Sequence, residues 1–449
     1  MVIKSMDFSL YGIVCLILFS AVVNLIINID FLLLALYSIF MLWIVVKRKY
    51  VFLKYFYFMF VTSWMILSVY FIENTQMWVP NLQQYSFRSG ALAPLIITNT
   101  LSFFVLIEFD RVFEKKLCLI QNKISINKKN NYRLIAVSII SIVLLFLIDI
   151  LPQNYFNSGA ANRFYFLLGT SAVSIKFYGY ILFFLPIFAI YAGKTNRNIG
   201  LIIFVLLYSA FLSLIGTKFG GLFQLIYILV LCYLIPNKHL FIEKHYKKVL
   251  LYAIMILALF LGYAFLQLTM EKGNVADAVE NLMNRILNGQ GDVWWGVYSK
   301  FKGTLHLDEL VDELGAFNTL GLKQSEYNFG IYKLMNCIAP QFVIDGYAAQ
   351  KARFAASTEA SFYYYFGMSG CIILKMILSV ILAFLVNALI SACKRNRGSS
   401  AILYVWLMTH FTRIYAMSDF YLILCKSALL SVILLIILNK VIYVKERRI

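Results

Sequence analysis

Apolar runs long enough to cross a bilayer recur along almost the whole of this 449-residue chain. A helix of about 20 residues spans the hydrocarbon core, where the backbone must satisfy its own hydrogen bonds. Hydrophobic residues make up 62% of the chain and charged residues 14%, which excludes a soluble globular domain. The sequence therefore predicts an all-α polytopic membrane protein with about twelve transmembrane helices. The predicted spans are 8–27, 31–46, 55–72, 91–109, 134–151, 177–193, 199–216, 222–236, 249–269, 365–391, 401–417 and 420–438.

The net charge of +19 is distributed unevenly between the predicted loops. Of the 40 Lys and Arg residues, 25 lie in one set of loops and both termini, 12 lie in the other set, and 3 lie inside spans. By the positive-inside rule the first set is cytoplasmic, so both termini of this multi-pass protein are predicted to face the cytoplasm. Contacts with anionic membrane lipids account for the basic excess, and no nucleic-acid partner is expected.

One long polar segment, Met270–Gly367, interrupts the apolar runs between the ninth and tenth predicted spans. It lies opposite the basic loops, so we expect it outside the membrane, within a single integral membrane domain that covers residues 1–449. Asn274 is expected to cap an amphipathic helix that stops at Asn288-Gly289, and a second amphipathic helix is expected from Leu307. A polytopic protein needs no such loop in order to fold, so this segment is the first place to look for function.

Cations near the predicted outer surface indicate a binding site. Charges at membrane depth are costly unless they face the bundle interior, and the sequence supplies few carboxylates to neutralise them. An anionic ligand such as a lipid phosphate or pyrophosphate would fit, because Arg binds phosphate through forked donors. Snorkelling to the interface is the alternative for Arg413 and Lys426, whereas Lys375 is too deep to snorkel easily. The candidate binding residues are Arg88, Arg163, Lys218, Arg285, Arg353 and Arg413, with Lys375 deeper.

Two side chains are candidates for a general base. Glu359 is expected where the long segment rejoins the bundle, and His410 lies one helical turn from Arg413. A solvated loop carboxylate and a packed core histidine are the alternatives. Trp294 and Trp295 either anchor the long segment at head-group level or stack against sugar rings. The sequence contains no Walker A, HExxH, paired CxxC or Asp-x-Asp motif, so no metal or cofactor is predicted.

Three short motifs and the overall layout are similar to one family. In the long outer segment, ten residues separate Arg285 from Gly296. After the seventh span, Gly216–Gly221 is similar to a Gly-Thr-Arg turn in which Lys218 replaces the Arg, and Thr358-Glu359 precedes the aromatic run that ends at Gly367. The chain thereby resembles the O-antigen repeat-unit polymerases of bacterial envelope polysaccharide synthesis, the Wzy-type family.

The resemblance implies a GT-C-like glycosyltransferase architecture in the bacterial inner membrane. It also implies the reaction: transfer of a growing glycan from undecaprenyl pyrophosphate onto the non-reducing end of a new lipid-linked repeat, at the periplasmic face. The cations would stabilise the departing pyrophosphate, so no metal or nucleotide is required. A polysaccharide chain-length regulator is a candidate partner.

Other functions fit parts of the same pattern. An O-antigen ligase shares the donor and the layout but uses a lipid A core acceptor. A flippase or secondary transporter of lipid-linked oligosaccharide suits the many spans and buried cations, although internal repeats and broken helices are expected there. An acyltransferase of surface sugars would need a His-Asp or similar pair in the membrane.

Overall fold

The computed structural model describes residues 8–24, 26–118, 139–141, 143–144, 151–152, 180–195, 198–215, 220–237, 239–318, 330–349, 352–419, 422 and 425–438. Their regular structure is helical apart from one two-residue antiparallel hairpin, formed by β1 (Trp78–Val79) and β2 (Gln84–Tyr85). Together with the apolar composition, this shows an all-α membrane protein, as predicted.

The helices are numbered in chain order. The first are α1 (Phe8–Asn24), α2 (Asp30–Lys47), α3 (Lys49–Thr75) and α4 (Leu92–Cys118). A 3-10 turn, Leu182–Phe184, precedes α5 (Leu185–Thr195), α6 (Ile199–Leu214), α7 (Gly220–Leu229, continued by a π turn at Val230–Leu234 and by Ile235–Asn237) and α8 (His239–Lys272). The polar insertion contains α9 (Val275–Leu287), α10 (Asp292–Lys300), the 3-10 helix Asp308–Asn318, α11 (Gly330–Ile338) and α12 (Gln341–Ala349). The C-terminal helices are α13 (Thr358–Lys394), α14 (Gly398–Met417) and α15 (Lys426–Ile437).

Several of these helices can cross a membrane. Within the described ranges, the long apolar helices are Asp30–Lys47, Lys49–Thr75, Leu92–Lys116, Gly220–Asn237 and Thr358–Lys394. Shorter apolar helices coincide with other predicted spans, at Ser9–Asn24, Leu182–Thr195, Ile199–Leu214, Leu261–Met270 and Ala428–Ile437. The predicted span 134–151 lies almost wholly outside the described residues. The protein is membrane-embedded, and the full number of twelve spans stays a prediction.

The helix α13 is broken at Gly367, where φ is +65° and ψ is −169°. Lys375 Nζ lies 3.0 Å from Glu359 Oε1. A straight helix would separate these two positions by about 24 Å, at 1.5 Å per residue. Extended Glu and Lys side chains together reach only about 11 Å by standard bond lengths. Residues 358–366 must therefore fold back against the segment that follows Gly367.

The break corrects the predicted path of the chain. The tenth span was expected to begin at residue 365, with Glu359 in the loop before it; instead the helix begins at Thr358. The segment 358–366 is about 13 Å long, too short to cross a bilayer. A Cβ placed on Gly370 would lie 2.3 Å from Phe366 Cβ, whereas these positions are about 5–6 Å apart in a regular helix.

The polar insertion docks on α3 through the end of α9. Trp64 Nε1 donates to Ile286 O at 2.9 Å, and Ser68 Oγ donates to Leu287 O at 2.9 Å. Ser68 Oγ also accepts from the Gly291 amide at 3.1 Å. The last carbonyls of a helix have no partner inside it, so α3 supplies the missing donors.

Two glycines permit this close packing. A Cβ on Gly291 would lie 2.8 Å from the backbone nitrogen of Val69, which cannot move aside easily. A Cβ on Gly296 would lie 2.9 Å from Leu82 Cδ1 and 3.3 Å from Ile338 Cδ1. The glycine of the Arg-x10-Gly spacing therefore has a packing role.

The local predictions for the insertion had different outcomes. Asn274 Oδ1 accepts from the Asp277 amide at 2.7 Å, and α9 ends at Leu287, so the predicted cap and stop are confirmed. The second predicted helix is instead a 3-10 helix that starts at Asp308.

Polar groups meet at both ends of α3. Near its start, Lys54 Nζ lies 3.1 Å from Asp110 Oδ1. Near its end, Glu73 Oε1 accepts from the amides of Ser89 and Ala91 at 2.9 and 3.1 Å. At each end of α3, the residues that meet thus belong to segments predicted to lie on the same side of the membrane. Which end faces the cytoplasm stays a prediction.

The chain divides into two compact units. Unit 1 comprises Met1–Phe113, Met283–Phe384 and His410–Leu430, and unit 2 comprises Glu114–Leu282, Leu385–Thr409 and Ser431–Ile449. Within unit 2, α5 and α6 pack through Phe188 and Phe204, whose ring centroids lie 4.5 Å apart. The candidate site described below lies in unit 1. The prediction of a single membrane domain is left open by this division.

Candidate functional site

Two arginines from different elements converge on one buried carboxylate. Arg353 precedes α13 and places Nη1 2.6 Å from Asp419 Oδ2, while Arg413 of α14 places Nη2 3.3 Å from the same oxygen. The side chain of Asp419 is fully buried, whereas those of Arg353 and Arg413 are 19% and 35% exposed. This arginine pair, with two positive charges on one carboxylate, carries one net positive charge.

The start of α13 is tied to the end of α14. Thr358 Oγ1 donates to Ile414 O, and Ser361 Oγ lies 2.5 Å from Ser418 Oγ. Thr358 and Ser361 flank Glu359, while Ile414 and Ser418 are the sequence neighbours of Arg413 and Asp419. The contacts therefore bring the start of α13, which carries Glu359, against the end of α14 and the segment that carries Asp419.

Glu359 and Lys375 form a fully buried ion pair. Their side chains are both 0% exposed, and Nζ lies 3.0 Å from Oε1. The separation is that of an ion pair, although the angles are not those of a hydrogen bond with any described residue. Lys375 Nζ also lies 3.2 Å from the centre of the Tyr415 ring. A buried charge is costly unless it has a partner, and here the two charges offset each other.

Several buried polar atoms in this part of unit 1 have no hydrogen-bond partner among the described residues. Most buried polar groups in folded proteins are hydrogen-bonded. Among the described residues, the unsatisfied atoms include Asp419 Oδ1, both carboxylate oxygens of Glu359, Ser357 Oγ, and the hydroxyls of Tyr37 and Tyr415.

The structure places Trp294 and Trp295 in the core. Their side chains are 1% and 0% exposed. Trp294 Nε1 donates to Ala91 O at 3.0 Å, and Trp295 Nε1 donates to Phe87 O at 3.1 Å. Both rings are buried, so of the two alternatives this conformation favours anchoring over stacking on sugar. Both residues anchor the insertion to the loop before α4.

Arg88 belongs to a different charged group. Its side chain is 40% exposed, and its Nε lies 3.4 Å from Oδ2 of the buried Asp30. Asp30 Oδ1 also accepts from Asn24 Nδ2 at 2.7 Å. Few carboxylates were expected to neutralise the outer cations; two of them, Asp30 and Asp419, pair with Arg88, Arg353 and Arg413.

Other predicted site residues are located only in part. Arg163 and Lys218 lie outside the described residues. Arg285 lies in the last turn of α9, and its side chain is not among those that the structure describes. His410 is half-buried on α14, one turn from Arg413. The role of Arg163, Lys218 and Arg285 in binding an anionic ligand stays a prediction.

Sequence reasoning missed a charged network around Lys333. Lys333 Nζ lies 2.7 Å from Glu309 Oε2 and 2.5 Å from Asp312 Oδ2. The hydrogen bond from Lys333 lowers the pKa of Glu309. Tyr364 OH donates to Glu309 Oε2 at 2.9 Å, and the His306 ring stacks on Tyr364 with centroids 4.4 Å apart. The acidic residues of this segment are therefore partly paired.

Glu313 links the same segment to the start of α13. It is buried, and its Oε1 accepts from Tyr365 OH at 2.6 Å and from the Gly330 amide at 2.8 Å. Burial raises the pKa of Glu313. The hydroxyl groups of Tyr364 and Tyr365 thus attach residues 358–366 to the insertion through hydrogen bonds.

A third buried carboxylate, Asp292, joins the hairpin to α10 and α12. Its Oδ2 accepts from Asn81 Nδ2 at 2.5 Å, and its Oδ1 accepts from the Val293 amide at 2.7 Å. Asn81 Oδ1 in turn accepts from Tyr347 OH at 2.8 Å. Burial raises the pKa of Asp292 to about 6.

Comparison with known families singles out the C-terminal part of the chain. A model described as a family of unknown function, DUF6418, matches residues 324–432. The matched segment contains Arg353, Glu359, Lys375, Arg413 and Asp419. No curated protein and no solved structure gives a significant match.

Proposed function

We propose that the protein is a membrane glycosyltransferase that polymerises undecaprenyl-pyrophosphate-linked oligosaccharide repeats at the periplasmic face of the bacterial inner membrane. The growing glycan is transferred onto the non-reducing end of a new lipid-linked repeat. The observation that carries the proposal is the convergence of Arg353 and Arg413 on the buried Asp419, beside the start of α13.

The arginine pair suits a pyrophosphate group. Both arginine side chains are partly exposed, and the shared carboxylate leaves one net positive charge for an anionic ligand. Guanidinium groups bind phosphate oxygens through paired donors, and Asp419 restricts their orientation before the ligand binds. Fixed donors of this kind stabilise the charge that develops on a departing pyrophosphate.

The proposed reaction needs a proton acceptor. The acceptor hydroxyl oxygen bonds to the anomeric carbon of the donor, the bond from that carbon to the pyrophosphate oxygen breaks, and the hydroxyl proton passes to a base. We assign this role to Glu359, with His410 as the second choice. Glu359 is fully buried, so residues 358–366 must move for its carboxylate to meet the acceptor.

The proposal is tested by replacing the arginines in a strain that depends on this chain for its surface polysaccharide. Arg353→Lys and Arg413→Lys keep the charge but lose the forked donors. Loss of charge-assisted hydrogen bonds worth about 1.5–3 kcal/mol corresponds to a reduction of chain extension by about tenfold or more. The measurement is the length distribution of the polysaccharide, which should collapse towards one repeat unit.

A matched control is Arg111→Lys. Arg111 also forms a partly exposed ion pair, with Glu108 at 3.0 Å, but near the C-terminal end of α4. This variant should make polysaccharide of normal length. Normal length in the double variant Arg353→Lys/Arg413→Lys, at normal expression, would refute a pyrophosphate site at the arginine pair.

A transporter of lipid-linked oligosaccharide is the second candidate, and the break in α13 favours it. Broken helices at membrane depth commonly line transport sites. Deletion of the chain separates the alternatives. Loss of a polymerase leaves a surface polysaccharide of one repeat unit, loss of a transporter leaves no exported repeat, and loss of a ligase leaves none attached.

A further inference from the structure

We propose that Lys375 is a positioning residue that keeps Glu359 ionised inside the protein. The functional meaning of this pairing rests on the proposed function, in which Glu359 accepts a proton; the pairing itself does not. Lys375 lies at membrane depth in an apolar helix, where a lone charge is costly and generally marks a functional position.

The geometry of the ion pair carries the inference. A buried carboxyl group without a partner takes up a proton, because burial disfavours its charged form. An opposite charge within about 4 Å reverses that preference. Lys375 Nζ lies 3.0 Å from Glu359 Oε1, and both side chains are 0% exposed, so each is the counterion that the other requires.

Tyr415 also contacts the ammonium group. The ring centre lies 3.2 Å from Lys375 Nζ, which is the arrangement of a cation–π contact. Phe58 packs edge-on against the same ring, with centroids 4.8 Å apart. The ammonium group thus contacts both an aromatic ring and a carboxylate.

The break in α13 creates the pair. Gly367 turns residues 358–366 back, and Cys371 Sγ then donates to Glu359 O at 3.5 Å. The other titratable groups around the pair are Tyr37 of α2, Cys371 of α13 and Tyr415 of α14. Tyrosine and cysteine side chains are ordinarily neutral near pH 7, so these neighbours add no charge to the pair.

Infrared difference spectroscopy on the purified full-length protein tests the ionisation directly. A protonated carboxyl group absorbs in a region where a carboxylate does not. If Glu359 is ionised in wild type, Glu359→Gln should not remove any protonated-carboxyl band from the spectrum. Lys375→Met should gain such a band, and Glu359→Gln/Lys375→Met should lack it. Two results would overturn the inference. One is a protonated-carboxyl band in wild type that Glu359→Gln removes, and the other is the absence of a new band in Lys375→Met.

A stability comparison covers the case in which Lys375→Met does not fold. Glu359→Gln leaves the Lys375 ammonium buried without its counterion, and adding Lys375→Met removes that charge. The double variant should therefore unfold at a higher temperature than Glu359→Gln. Equal or lower thermal stability of the double variant would contradict the pairing.

Chain extension distinguishes failure of the inference from failure of the proposed function. Lys375→Arg should retain part of the activity. Lys375→Met should recover activity as pH rises, because its unpaired Glu359 gives up the proton only at higher pH. A purely structural role of Lys375 would leave the pH profile unchanged, and that result would refute the positioning role. Full activity of Glu359→Gln, with the expected infrared result, would refute only the assignment of Glu359 as base.

Discussion

Replacing Gly367 by alanine tests the break on which the candidate site depends. At φ +65° and ψ −169°, Gly367 lies in a backbone region that only glycine adopts readily. An alanine there is strained, whereas in a straight helix it would be favoured over glycine. The sign of the stability change therefore distinguishes a broken α13 from a continuous one.

Backbone strain at residue 367 determines the expected change in the free energy of unfolding. A residue held in this region costs about 1–3 kcal/mol of folding free energy. The added Cβ would also lie 2.8 Å from Leu305 Cδ2. Leu305 is 59% exposed, so its side chain can move away at little cost. We expect Gly367→Ala to lower the free energy of unfolding by about 1–3 kcal/mol, mostly through backbone strain.

The measurement is denaturant or thermal unfolding of the purified protein in detergent. Gly12→Ala is the matched control, because Gly12 lies inside α1 and a Cβ added there would meet no atom within 4 Å. That change should stabilise the protein by about 0.5–1 kcal/mol. Adding Leu305→Ala to Gly367→Ala should not restore wild-type stability. If Gly367→Ala matched Gly12→Ala, the break in α13 would be refuted.

Three further predictions concern contacts within unit 1. Ser361→Cys/Ser418→Cys should form a disulfide on mild oxidation, detected by mass spectrometry, because the two hydroxyl oxygens lie 2.5 Å apart; failure to cross-link would contradict the junction of α13 and α14. Burial raises the pKa of Asp292 from its ordinary 3.8 to about 6, so the folded protein binds a proton that the unfolded chain releases. The Asp292 carboxyl group contributes about 3 kcal/mol to the free energy of unfolding below pH 4, and this contribution is lost as pH rises to about 6. Unfolding measured across that window should show less loss in Asp292→Asn, and an identical slope would refute the assignment. Trp295→Phe removes the donor to Phe87 O and should lower the unfolding free energy by about 1 kcal/mol or more; unchanged stability would contradict the anchoring role.

The sequence by itself determined the class of protein and several local features. Apolar runs of the length of a bilayer indicated membrane helices, because hydrocarbon thickness sets helix length. Asn274 marked the start of α9 because a cap acts within one helical turn. The polar insertion was recognised because its composition differs from everything around it.

Only the tertiary structure decided how the charged residues pair. Arg353 and Asp419 are 66 residues apart, and nothing in local composition connects them. The apolar pattern predicted a span at 365–391 with Glu359 in the loop before it, since hydropathy records composition and not the direction of the chain. The conformation of Gly367 reverses the chain within that run and brings Glu359 to Lys375. Burial of Trp294 and Trp295 likewise depends on carbonyl groups about 200 residues earlier, so the sequence left their role open between anchoring and sugar binding.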